Sequence, residues 1–158
     1  MRRTLASLLF LAAVLALAPA AAQDKAAEVT DLQALRNSMR SDERAFVGSI
    51  MKLSDAEARK FWPIYDNYQR DVEMADRRRT RVLEEIIGRD RPVSDVYAKN
   101  LLKELLAADE IKVAARRTMQ NRLLRALPPR KAARFMQLDS KMRAVQDYDV
   151  AATIPLVP

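Results

Sequence analysis

"LSDAEARKFWPIYDNYQRDVEMADRRRTRVLEEII", residues 53–87, decides the fold. It opens with Ser54 and, three residues on, Glu57. That spacing is a capping box: the hydroxyl takes one free backbone N–H and the carboxylate reaches back to another. Phe61, Tyr65, Tyr68, Val72, Ala75, Arg79, Val82 and Ile86 then follow at alternating steps of four and three. Such a seam predicts one long helix with an apolar stripe, Arg79 being its charged member. Off the seam, Asp55/Arg59, Asp66/Arg70, Glu73/Arg77 and Glu85/Arg89 set an acid four residues before a base. Each such pair adds about 0.2–0.5 kcal/mol and suits a face in water. Pro63 is the conflict. Inside a helix it removes a hydrogen bond and crowds the preceding turn, at about 3 kcal/mol. Because the seam runs on past it, the reading is a helix kinked near Pro63. The alternative is a short helix ending at Trp62, with a new one starting at Pro63.

Working outward, Gly88 and Pro92 stop this helix in a short turn. A third helix is expected from about Ser94 to Ala126, with Tyr97, Leu101, Leu105, Ala108, Ile111, Ala115, Met119 and Leu123 as its stripe. Pro129 suits the first position of a fourth helix. That helix runs to about Ala151 and turns Phe135, Leu138, Met142 and Val145 inward. On the other side, a first helix is expected from about Glu28 to Met51. Its stripe is Val29, Leu32, Leu35, Met39, Phe46 and Ile50, and its middle is polar (Arg40, Asp42, Glu43, Arg44). No segment has the period-two alternation of a strand. The fold class is therefore all-α: an elongated four-helix bent hairpin, ordered short-long-long-short.

Length sets the shape. Thirty-three residues from Asp55 to Ile87 make a helix about 50 Å long. A compact domain of this size has a radius of gyration of about 14 Å. The two long helices must therefore form an extended antiparallel hairpin that the short ones cover only in part. Apolar seam is left over in a monomer, and a homodimer is the simplest cover.

The start of the chain reads as an address. "MRRT" is basic, "LASLLFLAAVLAL" is a short apolar run, and "APAAA" is a small-residue end, the layout of a secretory signal peptide over residues 1–22. Cleavage after Ala22 leaves residues 23–158 as one helical domain with a short apolar tail, residues 152–158. The apolar run is short for a membrane span, so none is expected once the signal is removed. Without Arg2 and Arg3 the formal charge falls from +7 to +5. The chain has no Cys and no His, which removes disulfides, the commonest metal ligand and the usual general base. Two glycines leave no room for a phosphate-cradling loop. No catalytic constellation is present, so neither an enzyme nor a bound cofactor or metal is expected. Export and the lack of any DNA-binding motif argue against nucleic acid.

The opening stretch has an echo. "LSDAEARKF" at 53–61 aligns with "LPPRKAARF" at 127–135, matching Leu, then Ala at +5 and Phe at +8. The signal peptide, the small helical exported domain and "Leu53-Ser54-Asp55-Ala56-Glu57" resemble the Spy/CpxP (LTxxQ) family of periplasmic proteins. "Leu127-Pro128-Pro129-Arg130-Lys131" stands at the second motif position but lacks both Thr and Gln. "FWPIYDNY" and "PPRKAARFMQLDSK" also look like a group of uncharacterised proteobacterial exported helical proteins. The resemblance implies a four-helix bent hairpin that dimerises into a cradle. It implies either an ATP-independent chaperone that holds unfolded clients or a stress adaptor docking on an envelope sensor. Some relatives of this kind sense metals through His-rich sites, which the missing His and Cys disfavour here.

Three features could bind a partner. Phe61, Trp62, Tyr65 and Tyr68 gather four of the nine aromatics. They read either as core and seam or, through Phe61, Trp62 and Tyr65, as a concave surface for apolar client segments. Arg77, Arg78 and Arg81 read either as a solvated face or as attraction for acidic partners. The methionines, Met74 among them, either fill gaps or adapt to varied partners. The resulting expectation is a periplasmic, soluble, chaperone-like protein of the envelope stress type that binds unfolded proteins. The alternative is a regulatory adaptor for a single envelope partner, for which the apolar "IPLVP" end offers a docking segment.

Overall fold

The computed structural model describes residues 31–88 and 92–154. Residues 1–22, expected to be a signal peptide, residues 28–30 of the expected first helix and the last four residues of the tail lie outside these. Among the described residues four helices follow in order: α1 (Leu32–Met51), α2 (Asp55–Ile87), α3 (Asp95–Ala126) and α4 (Pro129–Ala151). No strand occurs among the described residues.

Each start has a local cause. Asp31 caps α1 by accepting from the N–H groups of Gln33 and Ala34. The capping box of α2 forms as its sequence requires: the Ser54 N–H donates to Glu57 Oε2 at 2.8 Å and the Glu57 N–H to Ser54 Oγ at 3.4 Å. Ser94 caps α3 through Tyr97 N–H, and Pro129 occupies the first turn of α4.

The helix runs unbroken through Pro63, so a stop at Trp62 does not occur. Pro63 and Arg59, whose carbonyl loses its usual donor, are both exposed, so water can serve that carbonyl and lower the cost. Pro63→Ala is therefore expected to stabilise the protein by about 1–3 kcal/mol. Urea unfolding followed by circular dichroism checks this, and an unchanged midpoint would refute it. A residue with non-helical dihedrals lies in α1: Asp42 has φ −161° and ψ 95°. Its carboxylate accepts from Ala45 N–H at 2.8 Å and so caps the turn that follows. This break resets the helical phase. Leu35 is buried before it, while Phe46, Val47, Ile50 and Met51 are buried after it, and Leu32 is exposed.

Side chains fix the packing directions. Glu85 meets Tyr97, Arg78 meets Glu104, and Asp76 meets Lys112, so α2 and α3 form an antiparallel hairpin. Phe61 meets Phe135, Tyr68 meets Asp139, and Arg79 meets Asp147, so α4 runs the same way as α2. Arg36 grips Asp149 through Nε at 2.9 and 3.0 Å and a terminal nitrogen at 2.7 Å. The start of α1 is thereby pinned to the end of α4. The core gathers Phe61 to Val72 of α2 and Ala115 to Leu123 of α3 with α1 and α4. Beyond it, Val82, Leu83, Leu101 and Ala108 are buried as well. Past the end of α4, near Arg79 and Lys112, the hairpin continues as an arm of two helices.

The two echoing segments lie side by side. Glu57 and Lys131 occupy equivalent positions and pair at 2.5 Å. Phe61 and Phe135 are also equivalent and meet edge to face, 5.0 Å between centroids. Lys131 also donates to the Lys52 carbonyl at 3.3 Å, at the turn where Lys52 adopts a left-handed φ of 45°. The Lys131 hydrogen bond, followed by that from the Ser54 backbone, holds the Glu57 carboxyl below its ordinary range.

Candidate functional site

The aromatic cluster is built around Phe61, which is 0% exposed. Trp62 packs on it edge to face at 4.9 Å, and Phe135 does so from α4. Tyr65 is buried and stacks at 5.8 Å. Its hydroxyl donates to Glu43 at 2.6 Å, and Gln69 completes a small network with both. Burial, reinforced by the hydrogen bond and charge of Glu43, raises the Tyr65 phenol above the usual tyrosine range. Tyr68 is raised by burial and by the charge of Asp139. Of the three aromatic residues expected at a client surface, Phe61 and Tyr65 are core and offer a client no area. The helical spacing that brings aromatics together on one face also turns that face inward.

Trp62 is half-buried, and one face of its ring is covered. The Arg44 guanidinium lies over the ring at 4.2 Å and also pairs with Asp66. The edge of the indole would stand 3.5 Å from a Cβ on Gly48. The break at Asp42 makes this arrangement: the next two residues, Glu43 and Arg44, are the ones that reach Tyr65 and Trp62. Sequence reading assigned that stretch only a polar middle.

The arginines separate. Arg77 is exposed and pairs with Glu73 along its own helix at 2.6 Å. Arg78 crosses to Glu104 on α3 at 2.7 Å and staples the arm. The hydrogen bond from Arg78 holds the Glu104 carboxyl low, with a smaller contribution from Arg81. Arg81 is exposed on the outer face of α2 near Arg77. The three do not converge on a single point. Arg79, the charged residue in the apolar seam, lies where α4 ends, in a cleft of about 370 Å³ with Asp76, Lys112 and Asp147. There it pairs with Asp147 at 3.3 Å, and Lys112 pairs with Asp76 at 2.6 Å.

Asp139 was not singled out by the sequence. It is 4% exposed on the inner face of α4. Tyr68 donates to it at 2.8 Å, Arg143 at 3.2 Å, and Arg116 Nε lies 3.3 Å away, off hydrogen-bonding geometry. Its only signal in the sequence was Arg143 four residues on.

The hairpin also carries apolar side chains that no other helix covers. Ile87 is 58% and Val96 71% exposed near its tip, and Met74 is exposed on the same outer side of α2 as Arg77 and Arg81. Among the described residues no group of three or more His, Cys, Asp or Glu could hold a metal ion, and no helix is long and apolar enough to cross a membrane.

The raised tyrosines predict an alkaline limit. Above about pH 10 the unfolded chain ionises both phenols while the folded protein keeps them protonated. The unfolded state then binds fewer protons, so stability is full below about pH 10 and falls as pH rises through that range. The expected result is an unfolding midpoint that drops between pH 9 and 11 by less in the Tyr65→Phe/Tyr68→Phe variant than in the wild type; equal drops would refute it.

No family model matches this chain, and neither a curated protein nor a solved structure matches it.

Proposed function

We propose that the protein is an ATP-independent, chaperone-like client-binding protein of the bacterial envelope, and that the α2–α3 arm is its holding surface. The observation that carries this is exposed apolar and cationic surface along the hairpin: Met74 shares the outer side of α2 with exposed Arg77 and Arg81, and Ile87 and Val96 are exposed near the tip. Apolar side chains interleaved with flexible cations suit extended, mixed segments of unfolded chains, which need many weak contacts and no shaped pocket. The four-helix core, by contrast, spends Phe61 and Tyr65 on its own packing and serves as the handle that holds the arm out. Arg77 and Arg81 remain in the binding role read from the sequence, Arg78 becomes a staple, and Trp62 keeps only a partly open edge. The signal-peptide-like layout of residues 1–22, the size of the domain and the Spy/CpxP-like start at Leu53–Glu57 support a periplasmic setting.

Aggregation of several unrelated unfolded proteins, followed by light scattering at stoichiometric ratio, tests the reading. Wild-type protein is expected to suppress aggregation of most of them. Met74→Ser/Ile87→Ser/Val96→Ser is expected to lose most of that protection while keeping its helical content and unfolding midpoint. If the wild type protects none, the client-binding reading fails. Capture of one dominant sensor domain in its place would support the adaptor.

A further inference from the structure

We propose that the closed end of the bundle, where the α1–α2 and α3–α4 turns lie side by side, docks on the anionic headgroups of a phospholipid bilayer. The bonds from Lys131 to Glu57 and to the Lys52 carbonyl set the two turns together. Within two helical turns of them, Lys52, Arg59 and Lys60 are exposed at the α1–α2 turn and the start of α2. Arg122 and Arg125 are exposed at the end of α3, and Arg130 and Arg134 at the start of α4. None of these seven has an ion-pair partner among the described residues. From Ile111 to Leu138 the chain carries eight bases and no acid, so α3 and α4 offer nothing here to neutralise them. Asp55 is the one unpaired acid at this end, since Glu57 is taken by Lys131. The excess of cations at this end exceeds the +5 of residues 23–158, so the rest of the domain is close to neutral.

The layout selects a bilayer over a single anion or a rod-like polyanion. Arg59 and Lys60, being neighbours, point about 100° apart. The four helix ends spread the cations over a blunt face about 20 Å across. A site for one phosphate needs donors that converge, and a nucleic-acid strand needs a groove to lie along. A field of headgroups asks for neither. Each base near such a surface adds its own attraction, and its long stem lets the charge reach a headgroup. Apolar groups stand among the cations: Leu124 is 49% exposed beside Arg125, and Pro128 and Pro129 are exposed in the turn. A bilayer gives these an acyl boundary to enter, which neither free phosphate nor a nucleic acid offers. The hairpin tip lies at the other end of the 33-residue α2. Docking at the closed end therefore holds Ile87 and Val96 up to about 50 Å from the bilayer.

The purified protein is expected to sediment with vesicles of phosphatidylcholine mixed with phosphatidylglycerol and not with vesicles of phosphatidylcholine alone, and high salt is expected to release it. Arg125→Gln/Arg130→Gln is expected to weaken that binding at least about tenfold. Its unfolding midpoint should not change, because both residues are exposed. Lys99→Gln/Lys103→Gln removes the same charge from exposed positions on the arm and is expected to change binding by less than about twofold. Leu124→Gln is expected to weaken binding to the mixed vesicles while leaving any binding to a DNA duplex unchanged. Since the chain has no cysteine, a polarity-sensitive dye can be placed by Asn121→Cys or by Val96→Cys. The first is expected to shift to the blue on the mixed vesicles and the second is not. Failure to sediment with the mixed vesicles, or equal sedimentation with the neutral ones, overturns the proposal. So does an equal loss in the two double variants, which would make net charge the cause, a dye response at Val96 in place of Asn121, or tighter binding to the DNA duplex than to the vesicles. Client protection is not read in any of these measurements, so failure here leaves the client-binding reading standing.

Discussion

Phe61→Ala is expected to destabilise the protein by about 3–5 kcal/mol. Phe61 is fully buried and stands between the rings of Trp62, Tyr65 and Phe135. Truncation removes a large apolar surface and three aromatic contacts together. The hole sits where the two echoing helix starts meet, which the capping box and the Glu57–Lys131 pair hold in place. The surroundings can therefore collapse only in part, which favours the upper end of the range. Urea unfolding by circular dichroism measures the loss. Arg77→Ala, exposed and paired only along its own helix, is the control and should change stability by less than about 0.5 kcal/mol. A loss below about 1 kcal/mol at Phe61 would mean that the cluster is not the core of the fold. It would return Phe61 to the role of a surface residue available to clients.

The second large effect is at Asp139. Removing its carboxylate leaves Arg143 and Arg116 facing each other without their shared counter-charge, and leaves the Tyr68 hydroxyl without its acceptor. Breaking a buried charge cluster from one side costs about 3–5 kcal/mol. Arg116 and Arg143 keep 33% and 23% of their side chains exposed. Water can therefore relieve part of the penalty, and about 3 kcal/mol is the expected loss for Asp139→Ala. Asp139→Asn keeps an acceptor for Tyr68 but not the charge, so it should fall between the wild type and the alanine variant. Equal stability of the wild type and both variants would show that the cluster is dispensable. The same comparison in high salt distinguishes charge from packing, since screening reaches the half-exposed arginines but not the Tyr68 contact.

The long helices were plain from the sequence because their signals are local. Ser54 and Glu57 sit three apart, the seam keeps its step for more than twenty residues, and Pro129 and Ser94 mark starts that the structure uses. The core positions of α4 (Phe135, Leu138, Met142 and Val145) followed from the same spacing. The first helix was harder. A periodic stripe drawn across residues 29–50 assumes one phase, and Asp42 breaks it. Aspartate followed three residues later by a free backbone N–H is the cap that would have shown this, but it lay hidden in a charged run.

The binding residues were legible only as a list. Phe61, Trp62 and Tyr65 share a helical face, yet spacing cannot tell a face that meets a client from one that meets α4. Only the partner helix decides that. Arg77, Arg78 and Arg81 lie within five residues, and the 100° step between neighbours turns Arg78 to Glu104 on α3 while Arg77 and Arg81 stay on the outer face. Arg79 stood out as the charged member of an apolar seam and Asp139 did not stand out at all, and each has a partner from a helix far along the chain, Asp147 and Tyr68 respectively.

By itself, then, the sequence determined four helices, their order, their caps and the extended hairpin, because backbone capping and side-chain periodicity act within a few residues. The tertiary structure alone decided which apolar faces are core and which are left open. It did so because α1 and α4 are shorter than the hairpin they cover. Where they end, near Arg79 and Lys112, the core ends with them, and the arm beyond keeps Arg81, Ile87, Leu102 and Leu106 at the surface.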